Sequence, residues 1–341
     1  MSTDEPAGPD DPGGALALAM DVLVDPVVPS SVLTELERAG VEGAWVTETV
    51  RDPFLTLAAH ASATKSVKLA TGVAIAFARS PMTLALSAHD VQRASGGRLI
   101  LGLGSQVRSH ITRRFSMPWS APAARMREYV LALRAIWAAW NDRQPLRFEG
   151  RFYTHTLMTP FFDPGPTGYG APPVILGGLG ERMMGVAAEV ADGFLCPPLT
   201  SQSALAERIL PRLGGRRAGF TVCGTPFIVT GRDPETMARV DAETRKRIAF
   251  YASTPEYRSV LDLHGWAGRG EQLTRLARGG EWDSMARLVD DEMLHAFAVV
   301  GEPEQIRDAV RTRWAGHADR VALYTVTDPG SEVWPVVFSP T

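Results

Sequence analysis

Residues 67–106 read VKLATGVAIAFARSPMTLALSAHDVQRASGGRLILGLGSQ, and this stretch decides the fold. It opens with an apolar run over 67–77 and ends with another over 98–103, each of a length suited to a buried strand. Between them, residues 81–94, opening at Pro81, are expected as an amphipathic helix. Strand, helix and strand with a tight return make a βα unit, whose strands lie parallel in one sheet.

The same rhythm continues in both directions. Apolar runs at 15–24, 44–47, 173–176, 193–196, 220–229 and 320–326 read as strands. Helices are expected at 30–39 (capped by Ser30 or Ser31), 53–64, 122–140, 181–191, 234–251 and 303–314. Within 122–140, Met126, Tyr129, Val130, Leu133, Ile136, Trp137 and Trp140 recur at three- and four-residue steps, one stripe for packing on a sheet. Eight strands alternating with helices favour a single closed (β/α)8 TIM barrel over 15–330. Residues 1–14 are acidic and rich in Pro and Gly and read as a disordered tail; 331–341 form a C-terminal tail. Two insertions interrupt the barrel, at 141–173 and at 253–290. The first holds a hairpin over 146–156, turning at Glu149-Gly150, and a loop over 160–173 with Phe161, Phe162 and Tyr169. The second is helical. Long barrel insertions of this kind serve as lids or pocket walls, or simply cover a barrel end.

The chain has 341 residues, 45% apolar and 21% charged, enough for a large core. A net charge of -3 argues against nucleic acid or an anionic membrane surface as partner. No apolar stretch approaches the roughly 20 residues that span a bilayer. Only two cysteines occur, Cys196 and Cys223, without metal-ligand spacing, which argues against a disulfide framework and points to a reducing cytoplasm.

In such a barrel the chemistry sits just after the strands. The second strand is followed by Glu48, Thr49 and Arg51, and the third carries Thr71, Gly72 and Val73. After the fourth come Gly104, Ser105, Gln106, Arg108, His110, Arg113 and Arg114. After the fifth come Gly177, Gly178, Leu179 and Gly180, glycines that let backbone amides approach a phosphate at a helix start. Glu48 ends an apolar strand; it is a candidate to bond a cofactor ring or relay a proton, or else to pair with Arg51. His110 is a candidate proton donor. His60 and His89 lie within helices and read as packed, and His155 lies within reach of the pocket from the hairpin. No nucleophile elbow, Walker loop, HExxH helix or CxxC pair is present, so hard chemistry needs a borrowed cofactor.

The chain resembles the luciferase-like monooxygenase superfamily, in particular its actinobacterial branch using coenzyme F420. The stretch quoted above carries the match together with AWVTETVRDPFLTLAAHA, RFSMPWSAPAARMREYVLALRAIW, PPVILGGLGERMMGVAAEVADGFLCPP and the later GEPEQIRDAV, in that order over residues 15–327. The resemblance implies a tricyclic cofactor at the C-terminal mouth, against a bulge in the third strand with a non-prolyl cis peptide at Gly72–Val73. It places the cofactor phosphate on amides at Gly177–Gly180 and ring contacts at Glu48 and Thr49. An Asp-His pair in several relatives is replaced here by Glu48-Thr49, so their acid or base role does not carry over directly. The leading expectation is hydride transfer between coenzyme F420 and a small organic substrate, in a homodimer. Arg108, Arg113 and Arg114 would meet the anionic tail. The alternatives are an FMNH2-dependent monooxygenase using FMN, and a non-catalytic flavin-binding protein. Phe77, Trp119, Phe161 and Phe162 either hint at an apolar or ring-bearing substrate or belong to the core.

Overall fold

A computed structural model describes residues 18–214, 218–326 and 332–339. The first half runs β1 (Ala19–Val24), α1 (Ser30–Arg38), β2 (Gly43–Val46), α2 (Pro53–Ala63), β3 (Lys68–Thr71), β4 (Ala74–Ile75), α3 (Pro81–Ala94), β5 (Leu99–Gly104), α4 (Arg108–Arg113) and α5 (Pro122–Asn141). A hairpin of β6 (Phe148–Glu149) and β7 (Thr154–His155) leads to β8 (Val174–Gly177), α6 (Glu181–Val190) and β9 (Gly193–Leu195). Short helices α7 (Gln202–Ala204) and α8 (Leu210–Arg212), joined by a π turn, precede β10 (Thr221–Gly224) and β11 (Phe227–Val229). Then come α9 (Pro234–Ala252), α10 (Arg258–Leu263), α11 (Ala267–Gly279), α12 (Trp282–Ala286), α13 (Asp291–Phe297), β12 (Ala298–Val300), α14 (Pro303–Trp314), β13 (Arg320–Tyr324) and α15 (Val333–Phe338).

Eight parallel strands close a barrel in the order β1-β2-β3-β5-β8-β9-β10-β13, with β13 returning to β1. The closing pair is held from within. Asp21 is fully buried and accepts from the Trp45 Nε1 (2.7 Å) and from Arg320 Nε and Nη2 (2.8 and 2.6 Å). A Cβ on Gly43 would fall 2.6 Å from the Asp21 carboxylate, so glycine makes room for it. Above this floor, Trp45, Ala70, Ile100, Ile175, Leu195, Cys223 and Ala322 fill the interior, with Leu23 and Val73 on top. Residues alternate faces along each strand, so the outward set packs under the helices as a second, larger core.

Several expectations need correction. The third strand, expected to be continuous over 67–77, breaks after Thr71: Ala70 lies opposite Ile100 but Ala74 opposite Leu103, so one extra residue bulges out on the β3–β4 side. The seventh strand, expected over 220–229, divides at Thr225-Pro226, where proline has no N–H to donate. Its upper part, β11, pairs with the unexpected strand β12. Helix α1 starts from Pro29 with no side-chain cap; Ser30 instead bonds His60 Nδ1 at 2.8 Å. The expected 15–17 start of the first strand, the N-terminal tail at 1–14 and residues 331, 340 and 341 lie outside the described residues; the expected C-terminal tail is otherwise largely the helix α15, which turns Val333, Trp334, Val337 and Phe338 inward and buries them.

Candidate active site

The C-terminal ends of the strands meet at one mouth. There the peptide between Gly72 and Val73 is cis, as the resemblance implied. Val73 stands half-exposed on this bulge, and two other strands make way for it. A Cβ added to Gly104 at the end of β5 would fall 2.6 Å from Val73 Cγ2, and one on Gly177 at the end of β8 would lie 3.1 Å from Cγ1. Gly72 is equally confined, its hypothetical Cβ being 3.0 Å from Leu23 Cδ1 and from Trp45 Cβ. The floor of the mouth is therefore largely backbone with the small apolar side chain of Val73 on it, beside Leu23, a surface suited to a flat ring. Next to Gly104, Gln106 takes a left-handed backbone (φ 58°), uncommon for a residue with a side chain, and its own Oε1 accepts from the Val107 N–H at 2.9 Å.

Gly177 to Gly180 lead from β8 into α6. Gly180 is the N-cap, at φ 93°, and no side chain caps the helix. The first amides of a helix have no partner within it, and here Glu181 and Arg182 are exposed, so these donors face outward for an anion. Gly178 cannot carry a side chain, since its Cβ would fall 2.7 Å from Met183. Leu179 turns away and packs on the core of the second insertion.

The expected catalytic residues fare differently. Glu48 is committed to structure. Its Oε2 accepts from the Ile75 N–H (2.7 Å) and from Arg79 Nη1 (2.8 Å), and its side chain is only 7% exposed. The partner is thus Arg79, not Arg51. Arg79 also grips Asp52, the N-cap of α2, at 2.7 Å. Burial would lower the Arg79 pKa, yet the bonds to Glu48 and Asp52 hold it above the ordinary value. This bracket fixes the bulged strand and leaves Glu48 poorly placed to move protons. Thr71 is fully buried, its hydroxyl donating to the Gly102 carbonyl at 2.6 Å. Thr49 is exposed and its carbonyl accepts from Arg114 Nη2 at 2.7 Å, tying two rim loops together. Ser105 lies half-buried at the mouth, donating to the Gln106 carbonyl. His110, Arg108 and Arg113 are exposed on α4 beside the rim.

His60 and His89 are buried as expected, and burial lowers the pKa of both. His155 belongs to the hairpin on α5. The aromatic hints mislead: Phe77 is fully buried beneath Trp119, with the Arg125 guanidinium 4.6 Å over its ring. Phe161 and Phe162 lie in the 160–173 loop, which runs along the opposite end of the barrel. Thr167 N donates to Asn141 Oδ1 at the end of α5, and Tyr169 covers Gly97, which precedes β5. That loop covers the N-terminal face and is no lid. A hollow of about 600 Å3 beside it, lined by Arg143, Leu146, Met158 and Asp163, is likewise remote from the mouth. A second, of about 510 Å3, lies between the loops after β1 and β2 and excludes Val73, Gly104 and Gly177.

Two rim residues went unread in the sequence. Asp21 and Leu23 point into the barrel, Leu23 touching the Gly72 position, and Asp25 follows exposed in the loop just past the end of β1. One Asp25 oxygen accepts from the Val27 N–H at 3.0 Å; the carboxylate enters no ion pair among the described residues. Tyr324 is the matching inward residue at the end of β13, opposite Leu23. Strict alternation from Arg320 was the available signal for Tyr324, and a place just after a strand for Asp25.

The family model for luciferase-like monooxygenases matches residues 31–320. The chain belongs to the luciferase-like monooxygenase family. It is 48% identical over 318 residues to an uncharacterised protein of Mycobacterium tuberculosis, covering 91% of this chain and 94% of that one. It is 25% identical over 287 residues to 5,10-methylenetetrahydromethanopterin reductase of Archaeoglobus fulgidus (80% and 82% covered). Among solved structures, the coenzyme F420 dependent tetrahydromethanopterin reductase of Methanopyrus kandleri superposes with a TM-score of 0.77 at 19% identity, over 94% of this chain and 97% of the other. A Type II Baeyer-Villiger monooxygenase of Pseudomonas putida in complex with FMN gives 0.60 at 16% identity (95% and 96% covered). This luciferase-like chain is therefore an α/β barrel, a fold it shares with the F420 dependent reductase and with the FMN-bound monooxygenase.

Proposed function

We propose that this protein is an oxidoreductase that binds coenzyme F420 at the mouth and transfers hydride between it and a small organic substrate. The observation that carries the reading is the cradle in which Gly104 and Gly177 leave space for Val73, beside the open start of α6. The Archaeoglobus relative and the Methanopyrus neighbour, both named as reductases, favour F420 over FMN as the ring that lies there.

When bound, the deazaflavin supplies two electrons as hydride from its C5 carbon. Val73 would back the ring from below. The α6 amides at Gly180 to Arg182 would hold the phosphate, and Arg108 and Arg113 the anionic tail. Glu48 and Arg79 keep the bulge in place, which positions Val73. Asp25, exposed and unpaired by any cation among the described residues, is the carboxylate free to hold or accept a proton at the mouth. His110 is the second candidate for that role. The substrate of such a site meets only the ring, the rim and the wall formed by the second insertion.

The test is a titration of the purified protein with F420 and, separately, with FMN, followed by cofactor fluorescence. F420 is expected to bind at least about tenfold more tightly. Preferential binding of FMN, with oxygen consumed once the bound flavin is reduced, would replace this reading with the monooxygenase one.

A further inference from the structure

The wall opposite Val73 carries a cluster that the cradle does not use. Arg320 and Ala322 point into the barrel, the first bonded to Asp21 and the second in the interior layer, so Tyr324 is the last inward side chain of β13. It emerges half-buried where the barrel meets the second insertion. Phe227 and Val229 of β11 face that insertion, together with Val240, Ile248 and Ala249 of α9, so the helical bundle rises as one side of the mouth. The Tyr324 ring stacks on Phe227, centroids 4.7 Å apart. Its hydroxyl accepts from Arg247 Nη1 at 2.9 Å and lies 3.3 Å from the Tyr251 hydroxyl.

Arg247 is exposed, and no ion pair engages it among the described residues. Its neighbours in the insertion differ: Arg245 pairs with Asp241 and Asp291, and Arg269 with Asp290. Burial raises the Tyr251 and Tyr257 phenols above their ordinary value, so at neutral pH they remain protonated. The rim thus holds a cation steered by one hydroxyl, with a second hydroxyl adjacent, and among the described residues no carboxylate pairs with it; Glu243, one turn away on α9, pairs with Lys246 instead. A guanidinium with phenolic donors beside it is matched to an oxyanion such as a carboxylate or a phosphate.

We infer that Arg247, Tyr324 and Tyr251 form an oxyanion subsite, and that the substrate of the reaction proposed above carries a carboxylate or phosphate that docks on it. The inference rests on the cofactor lying on Val73. The cofactor's own tail is the other source of an oxyanion, but Arg108 and Arg113 stand at the β5 side of the rim for that group. Arg247, on the β13 side, is left to the substrate.

The experiment uses benzoate and inorganic phosphate as probes, titrated calorimetrically into the full chain with and without F420. Wild type is compared with R247M and Y324F, and F420 affinity is measured separately by fluorescence. At least one probe is expected to bind wild type more weakly as salt rises, with R247M weakening it about tenfold or more and Y324F by a smaller factor. F420 affinity is expected to change less than about twofold in either variant, since neither residue belongs to the cradle. No probe binding, or binding indifferent to R247M, overturns the inference. A loss of F420 affinity in R247M as large as the loss of probe affinity also overturns it, by giving the site to the cofactor tail. If both probes bind through Arg247 while wild type binds no F420, the hydride-transfer reading falls and the oxyanion site stands.

Discussion

Val73 and the glycines around it are the residues on which the site turns. In Gly104→Ala the new Cβ would sit 2.6 Å from Val73 Cγ2, so Val73 must tilt into the mouth. Overpacking of this kind costs about 1–3 kcal/mol, and F420 affinity should fall well beyond what the stability loss explains; urea denaturation beside fluorescence titration separates the two. Asp25→Asn should leave cofactor affinity intact and lower kcat by about 10²–10⁴-fold, the usual worth of a placed proton donor or acceptor. His89 offers a pH signature. It is buried against Trp140, neither ring nitrogen has a partner among the described residues, and burial depresses its pKa below 6.5. Its stabilising contribution is then present above pH 6.5 and is lost as pH falls through the depressed value, because the unfolded chain takes up the proton first. His89→Phe should flatten the thermal-stability profile below pH 6.5, read by calorimetry. At this scale the glycines were legible because a missing side chain at a strand end is itself a signal. The partner of Glu48 was misread as Arg51 because Arg79 lies thirty-one residues away in the chain and meets it only once β3 has bulged.

Strands and helices were legible wherever periodicity ran for a full element. The α5 stripe, and the helix and second strand of the βα unit at 67–106, gave their elements almost to the residue. Two breaks escaped because each is a backbone event inside an apolar run: the bulge at Gly72-Val73 and the division at Thr225-Pro226. Strand β12 has three residues directly behind α13, too short for a period to register. The two insertions looked alike in length, yet only the second reaches the mouth, since the N-terminal loop is fixed by Asn141 and Gly97. The second insertion has its own core, centred on Leu261, Trp266, Leu273 and Phe297, with Trp266 stacked on His264 at 4.5 Å. Trp266→Ala should cost about 3–5 kcal/mol locally and open 253–290 to limited proteolysis. Cofactor affinity, held by the other side of the mouth, should move little.

Across the whole molecule, the first and last strands are closed by Asp21 and Arg320, 299 residues apart. Arg320→Leu would leave the fully buried Asp21 carboxylate with the Trp45 N–H alone, a loss of about 3–5 kcal/mol for breaking a buried pair, read as an earlier urea midpoint. Closure brings Asp25 and Tyr324 to the same rim as Val73, and no local pattern announces that meeting. The central claim is that this rim surrounds a ring-binding floor. A crystal structure of the protein with F420 bound tests it most directly. The account predicts the deazaflavin face against Val73, between Gly104 and Gly177, with the phosphate on the α6 amides. Cofactor density anywhere else, such as the hollow beside Arg143 and Met158, would contradict it.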